Sequence, residues 1–316
     1  GKSIKAVISY QDGQGFDETV TTSAASIPYV DNGQASFSIN GTAAVGNTLS
    51  INEDSADPDG TGTLSYSWQT SSDNSTWSVV GTNATYTVGA SEEGKSIKAV
   101  ISYQDGQGFD ETVTTSAASI PYVDHGQASF SINGTAAVGN TLSINEDSAD
   151  PDGTGTLSYS WQTSSDNSTW SVVGTNATYT VGASEEGKSI KAVISYQDGQ
   201  GFDETVTTSA ASIPYVDNGQ ASFSINGTAA VGNTLSINED SADPDGTGTL
   251  SYSWQTSSDN STWSVVGTNA TYTVGASEEG KSIKAVISYQ DGQGFDETVT
   301  TSAASIPYVD NGQASF

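Results

Sequence analysis

The segment GKSIKAVISYQDGQGFDETV begins at Gly1, Gly94, Gly187 and Gly280, so the chain repeats itself every 93 residues. The copies differ at one position, where His125 stands in place of Asn32, Asn218 and Asn311. Identical sequence has to give identical local structure, so the fold is set by whatever one period can build. Solenoid units are shorter, ~20–50 residues, whereas an immunoglobulin-like sandwich takes ~100. Each copy is therefore expected to be a domain with its own core. With a repeat opening at Ala35, whole copies span 35–127, 128–220 and 221–313. Residues 1–34 then carry the last strands and linker of a truncated copy, and 314–316 open the next one. With no initiator Met, signal peptide or long apolar run, the chain is expected to be an internal stretch of a longer protein.

Within one period the apolar residues alternate at period 2, and no stretch follows the helical period. Phe37 and Ile39, then Leu49 and Ile51, mark two strands. Leu64, Tyr66 and Trp68 share one face of a third, opposite Ser65, Ser67 and Gln69. A turn at Asp73-Asn74-Ser75 leads to a short strand holding Trp77 and Val79, and Tyr86 and Val88 mark a fifth. Ile97, Ala99, Ile101 and Tyr103 define the sixth, and the seventh runs from Thr112 toward Ile120. Seven short strands separated by Gly, Asn and Asp turns predict an all-β fold: tandem Ig-like antiparallel β-sandwich domains joined end to end into a rod. Trp68 takes the place of the tryptophan buried between the sheets of such domains. The usual disulfide is absent, and Ala99 lies about where one of its cysteines would be.

Composition decides which functions are open. The chain has 37 acidic residues against 8 lysines, one histidine, and neither arginine nor cysteine, for a net charge of −29. That balance argues against nucleic acid, whose phosphates need cations, and against an anionic membrane surface. No disulfide or thiolate metal site can form. Without cysteine, arginine or a repeated histidine, the usual nucleophiles and their activators are missing, and no enzymatic activity is expected.

The acids are concentrated. Each repeat holds eleven, at Glu53, Asp54, Asp57, Asp59, Asp73, Glu92, Glu93, Asp105, Asp110, Glu111 and Asp124, all read as turn or linker positions. In an Ig-like sandwich the incoming chain and the second–third and sixth–seventh strand loops share one pole. Here those segments are Tyr29–Gly33, Glu53–Gly60 and Asp105–Glu111. Carboxylates gathered there would repel one another or rise in pKa unless a cation joined them. Ca²⁺, with six to eight oxygen ligands in flexible geometry, suits irregular acidic loops better than octahedral Mg²⁺ does, and Zn²⁺ would want Cys or His. The expected ligands are Asp31, Asp54, Asp57, Asp59, Asp105 and Asp110 for the first whole repeat. Asp124, Asp147, Asp150, Asp152, Asp198 and Asp203 follow for the second, and Asp217, Asp240, Asp243, Asp245, Asp291 and Asp296 for the third. A second pole, with Glu92 and Glu93 near Asp124, could add ligands from a neighbouring repeat.

At LSYSWQ, the EEGKSI turn and SYQDGQG the whole repeat resembles the bacterial Ig-like repeats in the extender regions of RTX adhesins. The resemblance implies sandwiches in series with Ca²⁺ at or near their junctions, secretion to the bacterial surface, and a spacer role holding an adhesive domain away from the cell. Its partners would be the neighbouring repeats, the adhesive ligand lying outside this chain. An alternative is a repeated glycan- or surface-binding module, with Trp77 and the Ser/Thr faces as a shallow platform and avidity from the identical copies. The three sequons at Asn40, Asn74 and Asn83 are read as chance in a Ser/Thr-rich chain.

Overall fold

A computed structural model describes residues 1–310 and 312. The expected opening of a further repeat at 314–316 lies outside the described residues. The architecture is all-β and antiparallel, with three-residue 3₁₀ turns as its only helical elements among the described residues. Among the described residues no helix is long and apolar enough to cross a membrane. The described chain divides into two compact units. The first comprises Gly1–Gly126 with the loop segments Pro151–Gly153 and Asp198–Phe202, and the second comprises the rest from Gln127 onward.

The first unit begins with β1 (Lys2–Ile4), β2 (Val7–Gln11), β3 (Asp17–Thr21) and β4 (Ala25–Ile27). β1 pairs with β4 and β2 with β3. Then come β5 (Ser36–Asn40), β6 (Thr48–Ser55), β7 (Ser65–Ser71), β8 (Ser78–Gly81), β9 (Thr85–Thr87), β10 (Ser96–Gln104), β11 (Asp110–Thr114) and β12 (Ala118–Ser119). They form a three-stranded sheet, β5-β6-β9, and a second sheet in the order β11-β10-β7-β8 with β12 also paired to β10. This is the strand pairing of an Ig-like sandwich. The predicted last strand is interrupted, because chain pairing to β10 lapses between Thr115 and Ala118.

Alternation explains β10: Ile97, Ala99, Ile101 and Tyr103 are buried while their neighbours are not. Trp68 is fully buried, stacks on Tyr86 at 6.0 Å between ring centroids, and donates its indole N–H to the Asn83 carbonyl. Ala99 sits directly across the ladder from Trp68, and its small side chain leaves room for the indole. Leu49, Phe37, Val88 and Ile120 complete this core. The same residues behave differently in β1 and β2. Ile8 and Tyr10 are 53% and 52% exposed, whereas the identical Ile101 and Tyr103 are 0% and 5% exposed. Among the described residues no sheet equivalent to β5, β6 and β9 covers β1–β4, so burial here comes from the opposing sheet and not from strand formation itself.

Four acids per repeat depart from the turn-only reading. Glu53 and Asp54 lie on β6, and Asp110 and Glu111 on β11. A bulge at Ser36/Phe37 lets β5 continue pairing with β6 as far as Ser55, which carries the strand through its acidic end.

In the second unit the pattern occurs twice. β13 (Ser129–Asn133), β14 (Thr141–Ser148), β15 (Ser158–Ser164), β16 (Ser171–Gly174), β17 (Thr178–Thr180), β18 (Ser189–Gln197), β19 (Asp203–Thr207) and β20 (Ala211–Ser212) form one set. β21 (Ser222–Asn226), β22 (Thr234–Ser241), β23 (Ser251–Ser257), β24 (Ser264–Gly267), β25 (Thr271–Thr273), β26 (Ser282–Gln290), β27 (Asp296–Thr300) and β28 (Ala304–Ser305) form the other. Each set has a three-stranded sheet and a larger one, with cores centred on Trp161 and Trp254.

Candidate metal centre

Three short segments meet at the end of the first sandwich, where β6 and β10 finish. In the first unit the β6–β7 loop turns at Asp57, whose carboxylate accepts the Asp59 amide at 2.8 Å and whose carbonyl accepts the Gly60 amide. The β10–β11 loop turns about Asp105, whose Oδ1 accepts the Gln107 and Phe109 amides, both at 2.8 Å. The loops join where the Gly106 amide reaches the Asp59 and Gly60 carbonyls. A side chain at Gly106 would place its Cβ 2.5 Å from the Asp59 carbonyl oxygen, so this approach requires glycine.

The linker closes the arrangement. The Asn32 amide donates to Asp59 Oδ2 and its carboxamide to Asp59 Oδ1, each at 2.7 Å. The Ala35 amide donates to the buried Tyr103 hydroxyl, which donates in turn to Asp57 Oδ2 at 2.8 Å. Burial, opposed by that amide bond and reinforced by Asp57, pushes the Tyr103 phenol up to about 12.

The result is a group of carboxylates, Asp57, Asp59 and Asp105, that offer ligand atoms within 4.8 Å of one another; the same grouping occurs at Asp150, Asp152 and Asp198 and at Asp243, Asp245 and Asp291. Asp57 and Asp105 are buried, at 4% and 6% exposure. Asp105 Oδ2 is buried without a hydrogen-bond partner, as are Asp198 Oδ2 and Asp291 Oδ2. A buried carboxylate oxygen left without a partner is costly unless a cation meets it. The neighbouring Gln107, Gln200 and Gln293 also each carry a buried, unpartnered Oε1, a neutral oxygen of the kind Ca²⁺ accepts. Glu111, 4% exposed on β11, feels the same field. Burial, then Asp31, Asp57 and Asp105, raise its carboxyl above the ordinary range against a hydrogen bond from Gln34. Glu297 is raised by burial, Asp217, Asp243 and Asp291. Each aspartate group can thus hold a metal ion.

Among the other expected ligands, Asp31, Asp124 and Asp217 each accept the amide two residues on, from Gly33, Gly126 and Gly219. Asp54 on β6 is engaged by Ser38 Oγ and Asn52 Nδ2, and Asp147 and Asp240 have the matching partners. Asp110, Asp203 and Asp296 are bonded by Gln104, Gln197 and Gln290. None of these nine belongs to an aspartate group. Glu92 is buried and caps its 3₁₀ turn through the Gly89 amide, whereas Glu93 accepts the Val123 amide of the outgoing linker. Gln107 and Glu111 were not in the expected ligand set. The signal for both was the motif DGQGFDE, where a glutamine sits between two loop glycines and a glutamate at an inward strand position.

Trp77 offers little as a sugar platform, because the Lys98 ammonium lies over its ring at 4.1 Å from the centroid; Lys191 and Lys284 cover Trp170 and Trp263 in the same way.

No protein-family model matches the chain, and no curated protein matches it. Solved structures with a similar arrangement include a Ca²⁺-stabilised adhesin with which an Antarctic bacterium binds ice, at 14% identity over 96% of this chain and 81% of that one, TM-score 0.34. A tetra-tandem repeat from the extending region of a large adhesion protein gives 15% identity, 97% and 82% coverage and a TM-score of 0.36. The ICAM-5 D1–D4 ectodomain fragment gives 10%, 97% and 83%, with 0.38. Identities and scores this low carry no functional argument.

Proposed function

We propose that the chain is a structural extender of a secreted bacterial surface adhesin, stiffened by Ca²⁺ held where each linker meets the next sandwich. The observation that carries this reading is the buried, unpartnered Asp105 Oδ2, repeated at Asp198 and Asp291, inside an aspartate group to which the incoming linker is bonded. The core ligands are Asp57, Asp59 and Asp105 and their equivalents, with Gln107 and Glu111 as further oxygen donors. A bound Ca²⁺ would neutralise the carboxylates and tie two loops and a linker to one point. The residues supply oxygen donors alone, from loops free to adopt the variable coordination that Ca²⁺ tolerates. In this reading the partners are neighbouring repeats, and the adhesive ligand is bound elsewhere in the longer protein. The likeness of LSYSWQ and SYQDGQG to RTX-adhesin extenders supports the same role.

Calcium titration of the chelator-treated chain tests it. Three ions per chain are expected, with affinity in the ~10⁻⁴–10⁻³ M range of extracellular modules and a rise in thermal stability that follows occupancy. The variant Asp105→Asn/Asp198→Asn/Asp291→Asn should fold in chelator and gain no stability from calcium. Absence of calcium uptake by the unaltered chain would refute the reading.

A further inference from the structure

The position at which the repeats differ is also the position through which each linker touches a ligand carboxylate. The Asn32 amide and carboxamide reach the two oxygens of Asp59, both at 2.7 Å. Asn218 reaches those of Asp245 at 2.7 and 2.9 Å. At the remaining linker the residue is His125, and the geometry is kept, with its amide 2.7 Å from Asp152 Oδ2 and its Nδ1 2.9 Å from Asp152 Oδ1. Asparagine and neutral histidine share one property relevant here: each can place a side-chain N–H donor close to the backbone, one amide away from the linker's own N–H. The single sequence difference among the repeats therefore preserves a two-point latch.

From the opposite loop, the Gln107 carboxamide donates to Asp59 Oδ1 at 2.6 Å, and Gln293 to Asp245 Oδ1 at 2.9 Å. A carboxylate has about four acceptor sites. Three donors fix the plane of the Asp59 carboxylate and leave one site for a cation. Fixing a ligand this way is what the outer hydrogen-bonding partners of metal ligands do.

We infer that Asn32, His125 and Asn218 are positioning residues, which orient the ligand aspartate and thereby make docking of the linker and binding of the cation reinforce each other. This inference rests on the calcium reading above. It predicts that removing the linker donor weakens the site although the residue is not itself a ligand, and that histidine can replace asparagine there.

The test uses the whole chain, with calcium as the probe. In Asn32→Ala/Asn218→Ala two of the three sites should bind calcium about tenfold more weakly, while the site beside His125 is unchanged and serves as an internal reference. Asn32→His/Asn218→His should restore all three. A near-ultraviolet spectrum in chelator checks that the tryptophan cores of each variant are intact. In chelator, amide exchange at residues 32 and 218 should also quicken about tenfold in the alanine variant, for the loss of one charge-assisted bond. Three equal sites in the alanine variant, or a histidine variant as weak as the alanine one, would overturn the inference while leaving the calcium reading intact. No uptake by the unaltered chain would instead remove the calcium reading and this coupling with it.

Discussion

Asp73 shows how a single carboxylate can serve local structure with no metal at all. It accepts the Ser75 and Thr76 amides and the Ser71 hydroxyl, closing a turn in which Asn74 takes the left-handed conformation at φ 57°. Those amides, Thr76 first, hold its carboxyl down to about 2. A depressed folded-state value means the group stabilises the fold above its unfolded value of ~3.9 and loses that contribution as pH falls from there through 2. In calcium-free buffer, the stability gap between the unaltered chain and Asp73→Asn should therefore be open at pH 5 and close toward pH 2. A gap independent of pH over that range would show that the turn does not hold the ionised form. Asp73 and Asp57 are both turn acids, and the sequence separates them only by position, Asp57 in a loop expected at the linker pole and Asp73 in a tight turn outside it. The partners that folding brings in differ accordingly, three local donors for Asp73 and, for Asp57, the Tyr103 hydroxyl from a distant strand.

At the scale of the element, β10 was legible because its burial alternates at the strand period without interruption. The buried Trp68 and the small Ala99 opposite could be read the same way. Truncation of Trp68 to alanine should cost its repeat about 3–5 kcal/mol, seen as an early transition in urea unfolding. Less legible was the far end of β6, where Glu53-Asp54-Ser55 has the composition of a loop. It is a strand because the bulge at Ser36/Phe37 keeps β5 in register beside it, and pairing with a distant segment leaves no local trace. Tyr103 combines both cases: its alternation marks it as core, but its hydroxyl bridge from Ala35 to Asp57 is a tertiary fact. Tyr103→Phe would leave the buried Ala35 amide and Asp57 oxygen each short of a partner. It should lower the stability of that repeat by about 1–3 kcal/mol in denaturant titration, and a neutral result would mean that water substitutes for the hydroxyl.

For the whole molecule, a net charge of −29, carried by acids in loops, linkers and strand ends, is the central physical fact. The repeat period, the Ig-like sandwich and the loops that carry the acids followed from the sequence, because identical copies and strand alternation are one-dimensional signals. The choice of three aspartates from six expected ligands per repeat did not, because it depends on which carboxylates two loops and a linker turn toward the same point. Tandem identical domains also run a risk of strand exchange during folding. A cation requirement that is met only outside the cell, where calcium is abundant, would delay consolidation of each joint until secretion, in keeping with the proposed localisation. The proposed role makes the joints, more than the sandwiches, the working parts. Small-angle X-ray scattering of the chain, first with saturating calcium and then with excess chelator, addresses this most directly. The account predicts a larger maximum dimension and the signature of a stiff particle with calcium, and shortening with greater flexibility on chelation. Superimposable scattering curves from a chain that demonstrably binds and releases calcium would contradict it.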